Sequence, residues 1–294
     1  MTITTKCKMK DFCIFILTHG RPDRVYTVKS LLAAGYTGDF YIVVDDEDAT
    51  EGEYRKRYGN KVIVFDKKKV ANETDEGDNF DDRRAIIYAR NACFEIAKGL
   101  GVTYFMQLDD DYTAFVYKFD ADKEFKESRI KSLDANLKAL LKFYTGTTAL
   151  SVAIAQNGDF IGGRKSGSAK FKLKRKAMNT FICSTERPFK FFGRINEDVN
   201  TYTNLASRGG LFLTVPNVAI IQKQTQSNAG GMTELYLDSG TYVKSFYSVM
   251  YSPSSVDIMM MGEKHRRLHH RVKWKCAVPK IIDEGYKLWQ DRER

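Results

Sequence analysis

The strongest constraint on the fold is an alternation of short apolar segments and helical segments over the first third of the chain. Four apolar runs are each too short for a helix and are predicted to be strands. They lie at residues 12–17, 40–44, 61–65 and 103–108. Segments with helical character lie between them, at residues 24–34, 55–58 and 83–98. Because strands that alternate with helices form parallel sheets, we predict an α/β fold with a mostly parallel central sheet and flanking helices.

Composition and charge narrow the class of protein. The chain has 294 residues, 43% of them hydrophobic, and a formal net charge of +10. An excess of cations favours a polyanionic partner, although basic charge also promotes solubility. The five cysteines form no Cys-x-x-Cys pair, so neither a disulfide framework nor a zinc site is predicted. They are Cys7, Cys13, Cys93, Cys183 and Cys276.

The longest early apolar run, at residues 12–17, is too short for a signal sequence or a membrane span. Cysteine usage indicates a reducing compartment, so we predict a cytoplasmic protein. We also predict that it has no membrane contact and acts as a monomer or weak oligomer. No internal repeat or linker is evident. We therefore expect one domain at residues 1–250 and a basic helical C-terminal extension at residues 251–294, packed on the same domain.

The second half of the chain has a looser pattern. A long amphipathic helix is predicted at residues 124–144, and further strands are predicted from apolar runs. These strands lie at residues 148–155, 180–184 and 211–216. Two polar, Gly-containing segments are predicted to be a mobile loop and a flexible flap. They lie at residues 72–82 and 222–231.

Three consecutive carboxylates, Asp109, Asp110 and Asp111, follow the fourth predicted strand. Carboxylates crowded at the end of a buried strand repel one another unless a cation lies among them. Asp109 and Asp111 point the same way on an extended chain, so they can hold one divalent ion and leave its other face open to phosphate. Arg90 and Asn91 on the preceding helix would supply counter-charge. The segment predicts a nucleotide-diphosphate and metal site, with a solvated turn as the alternative.

Five motifs, in their order along the chain, resemble those of GT-A glycosyltransferases. They are Ile-Leu-Thr18-His-Gly-Arg21-Pro22, Asp45-Asp46, Ala89-Arg90-Asn91, Asp109-Asp110-Asp111 and Asn196-Glu197-Asp198. The last is similar to the acidic acceptor-side motif of inverting members. A lone DxD is frequent by chance, but the ordered set covers roughly residues 10–220. The basic character and the segment at residues 156–163 look most like the TET-associated, phage-type glycosyltransferases that modify DNA bases.

The resemblance implies a GT-A fold and a nucleotide-sugar donor, and we predict that this donor is UDP-linked. The implied donor-binding residues are Thr18, Arg21, Asp45, Asp46, Arg90, Asn91, Asp109 and Asp110. Asp45 or Asp46 would accept hydrogen bonds from the base or ribose, and the arginines would approach the diphosphate. Asp109 and Asp111 would hold Mn²⁺ or Mg²⁺, with one late histidine as a further ligand. The candidates are His265, His269 and His270, and we predict that His269 is the ligand.

On the acceptor side, the resemblance implies that Asp198, beside Glu197, is the general base that draws a proton from the acceptor hydroxyl. Cations interleaved with aromatic residues suit a nucleic-acid acceptor whose target base is flipped out. The expected DNA-binding residues are Gln156, Gly163, Arg164, Lys165, Lys172, Lys174 and Arg175. The acceptor would be a hydroxymethylated or otherwise modified pyrimidine in phage DNA, and the enzyme would then work in the host cytoplasm.

Each interpretation has an alternative that the sequence leaves open. The acceptor could be a protein or a cell-surface saccharide, or the chain could be a catalytically silent nucleic-acid-binding protein on the same fold. Arg90 could pair with Glu95 on its own helix, and Asn196-Glu197-Asp198 could be a helix start whose acids favour the dipole. The basic clusters could be solvated faces whose aromatic residues point into the core. His19 is expected to support the backbone of its loop.

Overall fold

The structure is a computed structural model that describes residues 11–78, 83–160, 163, 171–223, 232–262 and 266–282. The strands are β1 (Phe12–Leu17), β2 (Asp39–Asp45), β3 (Val62–Phe65), β4 (Tyr104–Asp109), β5 (Tyr112–Phe119), β6 (Phe125–Arg129), β7 (Ser151–Gln156), β8 (Phe181–Ser184), β9 (Phe212–Gln222), β10 (Val256–Met261) and β11 (Arg267–Val272). The helices are α1 (Tyr26–Ala33), α2 (Glu51–Tyr58), α3 (Lys67–Ala71), α4 (Ile87–Gly99), α5 (Leu133–Thr145), α6 (Glu197–Ser207), α7 (Met232–Tyr251) and α8 (Trp274–Ala277).

A nine-stranded sheet in the order β3-β2-β1-β4-β8-β7-β9-β5-β6 forms the centre of the molecule. The predicted α/β architecture is confirmed, because β3, β2, β1 and β4 pair in parallel and only β8 and β5 run against the other strands of this sheet. The register sets Leu17 opposite both Val43 and Asp109. The carboxyl ends of β1, β2 and β4 therefore meet at one edge of the sheet, as the sequence predicts.

Apolar residues cover the sheet on both faces. Successive residues of β1 alternate between two buried clusters, with Ile14 and Ile16 in one and Phe15 and Leu17 in the other. The first cluster includes residues of α1 and α5, and the second includes residues of α4 and α6. This double burial explains why β1 is apolar throughout, since both of its faces are covered by helices.

The single helix predicted at residues 124–144 is wrong. The first part of this segment is β6, which pairs antiparallel with β5, and a helix begins only at Leu133. The turn between the two strands is closed by the Asp120 carboxylate, which accepts hydrogen bonds from the backbone N–H groups of Asp122 and Glu124. Pairing with β5, which the sequence did not predict, gives these residues a backbone partner that outweighs their helical spacing.

The prediction of helix for residues 251–294 is also wrong over most of the described part. Residues 256–261 and 267–272 form the antiparallel ribbon β10–β11, followed by the short helix α8. The ribbon packs on α7, a helix that the sequence did not predict and that breaks at Gly240 (φ 68°, ψ 174°). The domain boundary at residue 250 stays a prediction. Within the described residues, none of the helices has the length and apolar character needed to cross a bilayer.

Candidate active site

The turn formed by Asp109, Asp110 and Asp111 joins β4 to β5 and is fixed by the N-terminal part of α1. The Thr27 hydroxyl donates to the carbonyl oxygen of Asp109 at 2.6 Å, and the Thr27 N–H donates to that of Asp110 at 3.1 Å. The same hydroxyl accepts a hydrogen bond from the Tyr112 N–H at 3.0 Å. One threonine therefore satisfies backbone groups on both sides of the turn, and the carboxylates extend from a rigid segment.

The middle carboxylate, Asp110, braces the loop after β1. It is 3% exposed and accepts a hydrogen bond from the Thr18 hydroxyl at 2.6 Å. The Arg21 guanidinium lies 3.2 Å from the same Asp110 oxygen, and the Arg21 backbone N–H donates to the Tyr54 hydroxyl at 2.8 Å. The predicted donor-binding residues Thr18, Arg21 and Asp110 thus lie together, and their direct contact with a donor stays a prediction.

The outer carboxylates, Asp109 and Asp111, carry charge that the described protein only partly compensates. Burial raises the pKa of Asp109 to about 6, with Arg90 acting in the opposite direction. Burial, followed by the charges of Asp109 and Asp110, raises the pKa of Asp111 to about 7. Among the described residues, no cation forms an ion pair with Asp111. Two such carboxylates form a site that favours a bound cation.

Arg90 connects the turn to the second acidic motif. Its Nη2 donates to Asp109 at 3.0 Å and its Nε donates to Glu197 at 2.9 Å, while the guanidinium lies 4.8 Å from the centre of the Phe181 ring. Arg90 is 2% exposed, and its backbone carbonyl accepts a hydrogen bond from the Gln107 side chain. The predicted role at the diphosphate is not supported by these contacts. The sequence alternative, a pair with Glu95, is not formed either, because Glu95 pairs with Lys98.

We expect Arg90→Met to lower the free energy of unfolding by about 3 to 5 kcal/mol, because it leaves the buried Glu197 and the partly buried Asp109 without their cation. Urea denaturation measures the change. The matched control is Arg55→Met, which removes an exposed pair with Glu51 and should cost less than about 1 kcal/mol. Equal losses in the two variants would contradict the bridging role of Arg90.

The motif Asn196-Glu197-Asp198 lies at the start of α6, where the dipole favours acids. Asn196 has a left-handed backbone conformation (φ 56°) and donates to the carbonyl oxygen of Lys244 on α7 at 2.7 Å. Burial and then the charge of Glu197 raise the pKa of Asp198 to about 7. A carboxylate with a pKa near neutral is suited to removing a proton, so both interpretations of the motif, as helix start and as base, are compatible.

Two of the three candidate histidines, His269 and His270, lie on β11 and differ in their contacts. His270 Nδ1 lies 3.5 Å from the Asn196 amide nitrogen, and burial lowers the pKa of His270 to about 4. His269 Nδ1 lies 2.7 Å from the carbonyl oxygen of His270 instead. The structure therefore brings His270, rather than the chosen His269, to the acceptor-side motif. His265 lies outside the described residues.

A divalent metal fits the donor set of the turn in part. Asp109 and Asp111 offer the hard oxygen ligands that Mn²⁺ and Mg²⁺ prefer. In the described ranges, however, no group of three His, Cys, Asp or Glu side chains has the arrangement of a metal centre. The pair would therefore supply only part of a coordination shell, and the remaining ligands would come from a diphosphate and water.

The acids after β2 are held by His19, which was expected to support its own loop, and by Lys67, for which the sequence predicted no role. Asp45 accepts hydrogen bonds from His19 Nδ1 at 2.8 Å and from Lys67 Nζ at 3.2 Å. The hydrogen bond with Asp45 raises the pKa of His19. Asp46 is exposed and accepts from the Lys67 N–H at 2.9 Å. Asp46 is therefore more accessible to a ligand than Asp45. Lys67 lies two residues beyond the end of β3, and this position near a strand end was the sequence signal that could have indicated its contact with the acids.

Asn91 on α4 contacts the loop that was predicted to be mobile. The Asn91 side chain exchanges hydrogen bonds with the backbone of Phe191 and donates to Thr74. Further along the loop, Glu76 and Asp78 form ion pairs with Arg194, at 2.9 Å and 3.0 Å. The described part of the loop is therefore tied to the segment that leads into α6, and Asn91 has a structural role in these contacts.

The residues expected to bind DNA have different environments. Lys172 and Arg175 are exposed, whereas Lys174 pairs with Asp159 at 3.3 Å. Gln156 is half-buried, with its N–H donating to Asp159, and Gly163 has φ 55°. Arg164 and Lys165 lie outside the described residues. Of the aromatic residues among these cations, some are buried in the core and others are exposed. Phe189 and Phe191 are buried, and Phe171 and Trp274 are exposed.

Acids at the carboxyl ends of β2 and β4 lie at one edge of a mostly parallel sheet, as the sequence predicts. A model of the TET-associated glycosyltransferase family matches residues 12–231, so the chain belongs to this family and is a glycosyltransferase. No curated protein matches the sequence. Among solved structures, that of GalNAc-T7 with UDP, GalNAc and Mn²⁺ is similar, with 16% identity and a TM-score of 0.39. The alignment covers 72% of this chain and 43% of that one, so the chain spans less than half the length of that protein.

Proposed function

We propose that the protein is a metal-dependent, inverting glycosyltransferase that moves a sugar from a UDP-linked donor to a modified pyrimidine in phage DNA. The general activity follows from the family; the metal, donor nucleotide, stereochemistry and acceptor are the proposal. The observation that carries it is the ion-paired path from Asp109 through Arg90 to Glu197. Through Arg90, Asp109 on the proposed diphosphate side is held near Glu197, the neighbour of the proposed base Asp198. A direct displacement requires the two substrates to be held close together in this way.

On the donor side, Asp109 and Asp111 would bind Mn²⁺ or Mg²⁺, which neutralises charge on the departing nucleoside diphosphate when it is bound. Arg21 adds a cation whose Nε is buried without a hydrogen-bond partner among the described residues. The Arg21 side chain is 19% exposed, so its guanidinium can contact a phosphate oxygen. These features support a diphosphate at the carboxyl ends of β1 and β4.

On the acceptor side, the Asp198 carboxylate takes the proton of the acceptor hydroxyl. The hydroxyl oxygen then forms a bond to the anomeric carbon while the bond from that carbon to the diphosphate oxygen breaks. The nucleoside diphosphate leaves with the electron pair, and the configuration inverts in this single step. The near-neutral pKa of Asp198 supports its role, because a substantial fraction of the group is ionised near pH 7 and the carboxylate is basic enough to accept a proton.

DNA is favoured as the acceptor by charge. The chain carries a net charge of +10, and Lys172 and Arg175 are exposed near Phe171, which is 48% exposed. Exposed cations can follow phosphates, and an exposed ring can stack on an unpaired base. In this proposal the enzyme works in the cytoplasm, that of the host if the chain is phage-encoded, as a monomer or weak oligomer.

We expect incubation with hydroxymethylcytosine- or hydroxymethyluracil-containing DNA, Mn²⁺ and a panel of nucleotide-sugars to yield a glycosylated nucleoside. Mass spectrometry of the digested DNA would detect the added sugar. Unmodified DNA is the substrate control. Transfer to added protein or saccharide, with none to DNA, would support the first alternative, and no transfer from any donor would support a silent binding protein.

The double variant Lys172→Ala/Arg175→Ala tests the DNA contact in the same reactions. If these side chains bind phosphates, the variant should weaken binding to DNA and reduce the slope of log affinity against log salt by about 2. The matched control is Lys56→Ala/Arg57→Ala, which removes two exposed cations of α2. Equal salt slopes for both variants would count against this acceptor surface.

A further inference from the structure

Trp274 is a large aromatic residue that is open to solvent and stacked on the core. It begins α8 and is 42% exposed. Its indole ring is nearly parallel to the ring of Tyr202 on α6, with 8° between the planes and 5.8 Å between the ring centres. Tyr202 is 3% exposed. One ring of the pair is therefore part of the core, and the other is accessible to a ligand.

The turn that carries Trp274 is fixed to the rest of the molecule. The Lys273 N–H donates to the carbonyl oxygen of Ser255 at 2.7 Å, and the Lys273 carbonyl oxygen accepts from the Ala277 N–H at 3.1 Å. Ser255 and Ala277 are both buried. The indole therefore extends from a fixed turn, and its orientation is set before a ligand binds, which lowers the entropic cost of binding.

The segment that ends at Trp274 runs beside the start of α6, which carries the proposed base. His270 Nδ1 lies 3.5 Å from the Asn196 amide nitrogen, and Trp274, four residues later, stacks on Tyr202. Tyr202 follows Asp198 by one helical turn, so the two side chains share a face of α6. Burial and then the charge of Asp198 raise the pKa of Tyr202, as expected for close neighbours. The exposed indole therefore lies next to the group that would take the acceptor proton.

Exposed cations accompany the indole. Lys273 and Lys275 flank Trp274 in the sequence, and both are exposed. Lys273 lies 3.4 Å from Asp257, whereas Lys275 has no carboxylate partner among the described residues. Arg267, at the start of β11, is exposed as well. Cations beside an exposed ring can bind the phosphates next to a base that stacks on the ring.

These features suit a base that has left a duplex. Such a base loses its stacking neighbours, and an enzyme that acts on it supplies an aromatic contact in their place. We propose that Trp274 binds the target base of the acceptor DNA by stacking, supported from the core side by Tyr202. In this arrangement the pyrimidine lies on the exposed side of the indole, with its hydroxymethyl group directed toward Asp198 and its phosphates near the cations. The inference rests on the proposed function, because it assumes that DNA is the acceptor.

Binding of hydroxymethylated DNA by variants of Trp274, and sugar transfer to it, test the inference. Trp274→Ala should lower both affinity and kcat/KM by about 10- to 100-fold, the effect of losing one stacked base. Because the indole carries no charge, the slope of log affinity against log salt should not change. Trp274→Phe should retain most of the affinity, whereas Trp274→Leu, which keeps an apolar contact with Tyr202, should not. The matched control is Leu32→Ala, which removes a 59% exposed apolar side chain from α1.

The fluorescence of the indole measures stacking directly. The chain has two tryptophans, so Trp289→Phe leaves Trp274 as the only one. Titration of this variant with a duplex that contains one hydroxymethylcytosine or hydroxymethyluracil should quench the emission. A duplex with an abasic site at the same position keeps the phosphates and lacks the base, so it should quench far less. Because Trp274 itself is retained, this measurement tests the inference even if the alanine variant is unstable.

The outcomes separate this inference from the proposed function. If wild-type protein neither binds DNA nor transfers sugar to it, the DNA acceptor is wrong and the role of Trp274 falls with it. If wild-type protein modifies DNA and Trp274→Ala has the same kcat/KM, the role of Trp274 alone is wrong. Quenching by a neutral oligosaccharide such as cellohexaose, with none by DNA, would identify a sugar-binding surface and overturn the inference. Thermal denaturation verifies that each variant is folded.

Discussion

Asp198→Asn is expected to lower kcat/KM by about 10³-fold, the contribution typical of a positioned general base. The amide is nearly the same size as the carboxylate but cannot accept the acceptor proton. In the wild-type enzyme, the raised pKa predicts that kcat/KM rises with pH through about 7 and then levels, as Asp198 loses its proton. The variant should lack this rise. Initial rates of sugar transfer across pH 5.5 to 8.5 would measure both effects.

The matched control for this experiment is Glu95→Gln on α4, whose side chain is 77% exposed. It removes one acidic charge away from the motif and should leave both rate and pH profile unchanged. Donor binding by Asp198→Asn should also be retained, because the residue is proposed to act on the acceptor. Unchanged transfer by Asp198→Asn would show that the base is another group.

Asp111→Asn is expected to lower transfer by about 10²- to 10³-fold, because it removes a proposed metal ligand. In the metal-free protein, by contrast, the same substitution should raise the stability of the fold. The folded-state pKa of Asp111 is raised to about 7, so the metal-free protein loses stability as pH rises from about 4 through about 7. At pH 8 without metal, Asp111→Asn should therefore melt a few degrees above wild type, by about 3 °C.

Thermal denaturation at pH 5 and pH 8, with and without Mn²⁺, tests this. Mn²⁺ should stabilise the wild-type protein at pH 8 and have much less effect on Asp111→Asn, since a ligand stabilises only the state that binds it. Asp122→Asn, in the exposed turn between β5 and β6, is the matched control. Equal stabilisation of all three proteins by Mn²⁺ would contradict a metal role for Asp111.

The parallel part of the sheet was predictable because its strands are short, almost wholly apolar and separated by helices. β1 was predicted with its observed limits, Phe12–Leu17. β6 was not, because Phe125–Arg129 carries a single apolar residue and gains its structure from pairing with β5. Such pairing depends on contacts between segments, and a local pattern does not contain that information. β11 was missed because its basic composition resembles that of a surface helix, whereas the mostly apolar β10 gains its structure from pairing with β11.

The site was predictable at the level of strand ends and not at the level of partners. Thr18, Arg21 and Asp110 lie together as expected, because parallel register brings their strands to one edge. The partner of Arg90 was not predictable, since Glu197 lies 107 positions further along the chain and reaches Arg90 only when α6 packs beside the sheet. The histidine contacts likewise depend on the ribbon that the sequence did not reveal.

The ion pairs of Arg90 have a consequence for anyone who wishes to change what this enzyme modifies. A loop graft that replaces the segment around Glu197 to accommodate a new acceptor would also remove a partner of Arg90. The arginine would then shift toward Asp109, and the proposed metal site would change with it. Redesign of the acceptor pocket should therefore either replace Arg90, Asp109 and Glu197 together or keep all three.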